Sequence, residues 1–249
     1  MACQALADEV QSVAVEGTAF VATLNDGRVM RSAELVGAVL TIDTSSGRLR
    51  LRIDAVERDP DAVSGPVWLH SFSVPAADGA WRNLCDAGPD GRQQGFPLAF
   101  RPREPDGAME PAPPGIFELI CTAGARGKCV RFGYLPWQDD AMRDLYNACV
   151  RMMRADYCGN GEATTRDGTL IDLYDDRRIQ TLDQQSAREF EAGWSAAGAV
   201  CVRHVRIKEN ISLDALVQRC PRLKNVLGAD CTEERARNLG ASLFNRSLP

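Results

Sequence analysis

The sequence is short of histidine, of long apolar runs and of the compact signatures that mark common enzymes and metalloproteins. Only two histidines, His70 and His204, occur in 249 residues, far apart in the chain. No Cys-x-x-Cys pair is present, so a structural zinc site, which needs closely spaced ligands, is not expected and no metal ligand is assigned. No apolar run approaches the roughly 18 to 20 residues that a spanning helix requires. Phosphate loops, dinucleotide fingerprints, Gly-x-Ser-x-Gly elbows and His-Glu-x-x-His helices are missing as well. No cofactor is implied and no catalytic residue is assigned. A net charge of -5 offers no broad basic face for a phosphate backbone, which sets nucleic acid aside as a partner.

Cysteine is what the chain has in quantity. There are nine, at positions 3, 85, 121, 129, 149, 158, 201, 220 and 231. Scattered reduced thiols packed as small apolar residues are one reading, and disulfides formed in an oxidising compartment are the other. The pattern favours disulfides among Cys85, Cys121, Cys129, Cys149, Cys158, Cys201, Cys220 and Cys231, which places the protein in the periplasm, at the cell surface or in the medium. The ninth, Cys3, follows Met1-Ala2 with no basic or apolar leader ahead of it. If those two residues replace a removed signal, Cys3 is the acylated first residue of a lipoprotein, and that lipid is the only membrane anchor. Otherwise Cys3 is a free thiol near the terminus.

The first hundred residues read as β. Residues 18–24 end at the turn Asn25-Asp26-Gly27-Arg28, which predicts a hairpin. In residues 47–56, Leu49, Leu51, Ile53 and Ala55 alternate with Arg48, Arg50, Arg52 and Asp54. That alternation predicts a strand with one wet face, its arginines solubilising rather than a site for anions. Residues 67–74 predict another strand, with His70 half-buried. From Arg101 to Gly115 five prolines remove ladder donors and bias their neighbours away from helix. The expected division is therefore a β-rich region over 1–101, a proline-rich linker or loop over 102–114, and a mixed domain over 115–249. The fold class is α+β, a β-rich half followed by a disulfide-braced domain of mixed α and β.

In the second half, residues 116–122 and 128–134 read as a hairpin that brings Cys121 near Cys129. Asp139 or Asp140 can cap a helix in which Met142, Leu145, Tyr146, Cys149, Met152 and Met153 recur at helical spacing, with Cys149 toward the core. Its methionines are packing residues rather than a soft-metal or oxidation site. Ser186-Ala187-Arg188-Glu189 has the form of a capping box and predicts a helix carrying Phe190 and Trp194. Residues 199–207 predict a strand with Cys201 inward and His204 on the opposite face. Leu213, Leu216 and Cys220 mark a helix stopped by Pro221, Thr232 starts a last one, and Cys220 and Cys231 are expected to staple the two.

Between the Cys149 helix and the next strand lies Ala155-Asp156-Tyr157-Cys158-Gly159-Asn160-Gly161. With Gly133-Tyr134-Leu135-Pro136-Trp137, Phe190-Glu191-Ala192-Gly193-Trp194 and Gly198-Ala199-Val200-Cys201, this segment resembles the ADYC domain, a bacterial family named for four of its residues. The resemblance spans roughly residues 115 to 210. It implies an exported or lipoprotein-like protein and no particular reaction.

Three chemistries are conceivable for these residues. Cys158 as a nucleophile needs a lowered pKa, yet it follows a helix C-terminus, whose negative end opposes a thiolate, and His204 is the only base in this half. A disulfide from Cys158 to Cys201, or else to Cys149, is the stronger expectation. Calcium in the Asp156 to Asp167 loop fails the EF-hand spacing, so Asp156 and Asn160 are expected to cap turns. Asp172, Asp175 and Asp176 could supply a hydrolytic carboxylate pair, but spacing alone does not establish one. The leading expectation is an exported, disulfide-stabilised binding or structural protein, with a protein or surface ligand as partner. The alternative is an exported hydrolase using Cys158 or one of those three aspartates with His204.

Overall fold

A computed structural model describes residues 10–44, 47–88 and 90–249. Cys3 lies outside the described residues. The described residues form two compact units: those within 10–60, 66–101 and 111–127 make the first, and residues 61–65, 102–110 and 128–249 the second. The fold is α+β, with strands in both units and its longer helices in the second.

The first unit is built of β-strands. Strands β1 (Val10–Glu16), β2 (Ala19–Leu24) and β3 (Val29–Arg31) form a three-stranded antiparallel sheet. The predicted hairpin is β2 and β3, its turn held by Asp26 accepting from the Arg28 N–H at 3.0 Å. A larger sheet contains β4 (Val39–Thr44), β5 (Gly47–Arg58), β6 (Trp68–Pro75), β7 (Trp81–Asn83) and β8 (Gly95–Leu98). The short strands β9 (Phe100–Pro102) and β10 (Met109–Pro111) pair within the proline-rich segment. β11 (Glu118–Cys121) returns to the large sheet, whose order is β11-β8-β6-β5-β4, with β7 beside β6. Phe20 and Ala22 of the small sheet share one core with Leu51, Ile53 and Phe72 of the large one.

Two expectations for this unit need correcting. The alternation along β5 holds through Ile53, where a register shift against β6 leaves Ala55 exposed and turns Val56 toward the core instead. His70 is fully buried rather than half-buried, because β6 is a central strand between β5 and β8. Its ring stacks on Phe72 with centroids 5.1 Å apart, and Nε2 lies 2.8 Å from Ser32 Oγ. Burial holds its pKa down at about 4, against 6.5 for a free imidazole. Between those two values the unfolded chain binds more protons than the folded one, so acid destabilises the unit, by about 3 kcal/mol once pH 4 is reached. Urea midpoints at pH 7.5 and 4.5 check this: His70→Gln should lose less stability over that interval than the native chain, and equal losses would contradict it.

α1 (Ala125–Arg131) begins at the end of the first unit's chain and continues into the second, which carries α2 (Asp140–Arg154). The strand expected at 128–134, and with it the Cys121/Cys129 hairpin, is wrong. β11 pairs with β8, and the next residues coil into α1 because Gly127 lets the helix press on β11's end: a Cβ there would stand 2.3 Å from the Cys121 carbonyl oxygen. α2 begins where its cap predicts, with Asp139 accepting from the Met142 N–H at 2.6 Å, and buries Met142, Leu145, Tyr146, Cys149 and Met152.

The sheet of this unit comprises β12 (Asp172–Asp175), β13 (Glu189–Ser195), β14 (Gly198–Val202) and, at the end of the chain, β15, in the order β12-β15-β13-β14. α3 (Leu213–Arg219) and α4 (Glu233–Asn238) intervene before β15 (Leu243–Ser247). The helix expected from the Ser186 capping pattern is instead β13. It is an inner strand with four consecutive buried residues, Glu191 to Trp194, so it shows no period-two alternation to betray it. The proline-rich stretch is also tied down, since Asn147 of α2 accepts from the Met109 N–H at 2.8 Å and donates to its carbonyl at 3.0 Å.

Candidate functional site

The motif segment follows α2 directly. Ala155 ends the helix in the left-handed conformation, φ 49°, with its N–H returned to the helix carbonyls. Asp156 then accepts from the N–H groups of Gly159 (2.9 Å), Asn160 (3.1 Å) and Gly161 (2.8 Å), and from Arg151 Nη1 at 2.7 Å. Both members of that ion pair are buried. Four donors occupy this carboxylate, so it organises a turn and has no open face for a cation. Among the described residues no group of three or more His, Cys, Asp or Glu side chains is placed to hold a metal ion.

Tyr157 points into the core and joins a polar network. Its hydroxyl donates to Glu191 Oε1 at 3.0 Å and accepts from the Arg206 N–H at 2.8 Å. The Arg206 guanidinium grips both Glu191 oxygens at 3.0 Å and also reaches the Met152 and Met153 carbonyls at the end of α2. Asn245 donates to Glu191 at 2.7 Å and accepts from the Trp194 indole at 2.7 Å. Trp194 in turn stacks on Tyr157, centroids 5.3 Å apart. Burial alone would push the Glu191 carboxyl up, but Arg206 and its other donors hold it below the usual range; burial and Glu191 push the Tyr157 hydroxyl well up. Glu191 therefore stays ionised and Tyr157 stays a donor.

Cys158 bonds to Cys220 at the end of α3, Cα atoms 5.4 Å apart. The expected pairings with Cys201 or Cys149 are wrong, and so is a staple between Cys220 and Cys231. Cys201 does face inward on β14, but the segment above it is the entry to α4, where it meets Cys231, Cα to Cα 5.5 Å. Cys149 meets Cys129 of α1, and Cys85 meets Cys121 of β11. Each pairing depends on which elements the fold lays side by side, information that sequence separation does not carry.

The turn closes against β14 at two glycines. Gly159 has φ 72° and a Cβ there would stand 2.0 Å from the Ala197 carbonyl oxygen, while a Cβ on Gly198, φ 104°, would stand 2.7 Å from the Gly159 nitrogen. Across this contact Ala199 N–H donates to the Tyr157 carbonyl at 3.1 Å. Arg222 completes the seam by donating to the carbonyls of Tyr157, Cys158, Ala197 and Ala199, and burial pushes its pKa down. The hollow beside Asp156, Tyr157 and Cys158 has no room for a water molecule.

The aspartates considered for hydrolysis are spoken for in other ways. Asp175 accepts from Tyr134 Oη at 3.0 Å and from the N–H groups of Arg177, Ile179 and Gln180, so it caps a turn. Asp172 pairs with Arg188 at 2.6 Å, its Oδ2 buried without a partner, and Asp176 pairs with Arg237 at 3.0 Å. His204, its pKa lowered by burial, faces Ser247 Oγ at 3.0 Å. Sequence reasoning missed Arg151, Arg206 and Arg222, because an arginine that will be buried looks like any other in the sequence. Tyr157 and Glu191 stood in quoted motifs, but nothing in the spacing joined them.

The model of the ADYC domain matches residues 32–208. The match begins well before the motifs at 133–201 and takes in all of the first unit's large sheet. Among curated proteins and among solved structures, none matches the chain.

Proposed function

This chain belongs to the ADYC domain family, and we propose that it is an exported, disulfide-stabilised protein that binds a partner and does no covalent chemistry at its signature motif. The observation that carries this reading is the Cys158–Cys220 bond, which removes the motif's nucleophile from use. The rest of the motif supports it: Asp156 caps, Tyr157 anchors, and the hollow beside them admits no substrate. Four disulfides support an address outside the reducing cytoplasm, where such bonds form and persist. No described helix is long and apolar enough to cross a membrane, and an acyl chain on Cys3 would provide the attachment. The partner is a protein or surface ligand. The competing reading, an exported hydrolase working through Cys158 or through Asp172, Asp175 or Asp176 with His204, has no free thiol at Cys158 to use.

Alkylation with iodoacetamide tests the proposal. Without reductant, the denatured protein should take up label at none of the eight paired cysteines, which should react only after reduction; Cys3 should take up label only where it carries no lipid. Labelling of Cys158 in the native, unreduced protein would restore the hydrolase.

A further inference from the structure

The first unit contains a groove of about 560 Å³ lined by Val10–Val13 of β1, Val39–Asp43 of β4 and residues 115–117. Consecutive residues line it along both strands. A strand's face presents only every second residue, so an unbroken run means that the main-chain edge turns toward the groove. Both strands are sheet edges: among the described residues β1 pairs only with β2, and β4 only with β5.

β4 is the better template of the two. Its register with β5 is unbroken from Val39 opposite Arg52 to Thr44 opposite Gly47, whereas β1 shifts register between Val10 and Ser12. Ile53 N–H donates to the Ala38 carbonyl just before β4. Hydrogen-bonded pairs alternate along an antiparallel ladder, so Leu40 and Ile42 turn their main chain to β5 while Val39, Thr41 and Asp43 turn theirs to the groove. This edge has no proline, lysine or bulge, the devices that ordinarily block strand addition.

The side chains say what would cover it. Val13, Leu40, Ile42 and Phe117 pack on the core around Phe20 and Phe72 yet stay partly exposed. Val10, Val39 and Ile116 are exposed beside them, and Asp43 is the only charged residue in the lining. We infer that β4 takes up an extended peptide segment of another protein by strand addition, with apolar side chains at the alternate positions that cover Leu40 and Ile42. The walls made by β1 and residues 115–117 select a lone strand, because the edge of a second folded copy would bring its own walls against these before reaching β4. Main-chain pairing supplies affinity in such a site and the alternate side chains supply selectivity. The inference rests on the binding-protein reading above and names its partner class.

The test uses random peptides displayed on phage, panned against the full oxidised chain, with the selected sequences then synthesised. They should alternate apolar and polar residues. N-methylation of the peptide main chain at alternate positions should weaken binding by about tenfold or more in one phase and little in the other, since only one set of N–H groups faces β4. Thr41→Pro, which removes an outward N–H, should weaken binding similarly, whereas Thr41→Val should leave it unchanged. The N-methyl series acts on the unaltered protein, so it stands even if Thr41→Pro fails to fold. Selection of no peptide, binding indifferent to both N-methyl phases, or a dimer that Thr41→Pro separates would each overturn the inference. Any of these with Cys158 unreactive leaves the binding-protein reading in place; a reactive Cys158 defeats that reading whatever the peptides do.

Discussion

Replacing Cys158 by Ser should lower the melting temperature by on the order of 10 °C. The Cys158–Cys220 bond spans 62 residues, and in the chain-entropy model a loop of that size stabilises by about 4 kcal/mol. The loss should be felt in the second unit alone, because both cysteines belong to it. Cys220→Ser should cost the same, and the double replacement should cost little more than either single one, since one bond is lost in each case. Calorimetry on the three variants checks this. A Cys158→Ser protein that keeps its melting temperature and loses an activity would mean that the thiol is chemical and not structural.

Removing the Glu191 side chain should be as damaging for a different reason. Glu191→Ala leaves the Arg206 guanidinium buried among carbonyls with no counter-charge, and breaking such a pair costs about 3 to 5 kcal/mol. Tyr157 and Asn245 lose a partner in the same step. Pairing Glu191→Leu with Arg206→Met should recover much of the loss, because two apolar side chains of similar bulk need no counter-ion there. Urea unfolding of the single and double variants measures the coupling. A cost for Glu191→Ala below about 1 kcal/mol would mean that water reaches the pair.

These two effects also show what the sequence could and could not disclose. α2 was legible because Asp139 is a cap and its apolar residues recur at helical spacing, both local facts. β5 was legible because one of its faces is wet, and the reading failed only past the register shift at Ile53. β13 was misread because it is covered on both faces, so Glu191 and Trp194 are buried alike and the Ser186 capping pattern stood unopposed. At α1 the reverse happened: a run rich in β-forming residues coils because Gly127 allows a close approach to Cys121. The motif residues were visible as a set, but their roles were not. Asp156 draws its donors from within five residues on either side, whereas Tyr157 meets Glu191 across 34 positions and Arg206 across 49. Local geometry reached the first role and could not reach the second. The cysteines told the same story, with oxidation readable from their number and the partners hidden until strands and helices were placed.

The central claim is that the signature cysteine is a brace, and mapping disulfides in the unreduced protein by mass spectrometry tests it most directly. Proteolytic fragments containing Cys158 and Cys220 should appear joined and separate only on reduction, as should those of Cys201 with Cys231. Recovery of Cys158 as a free thiol in the folded, unreduced protein would contradict the account.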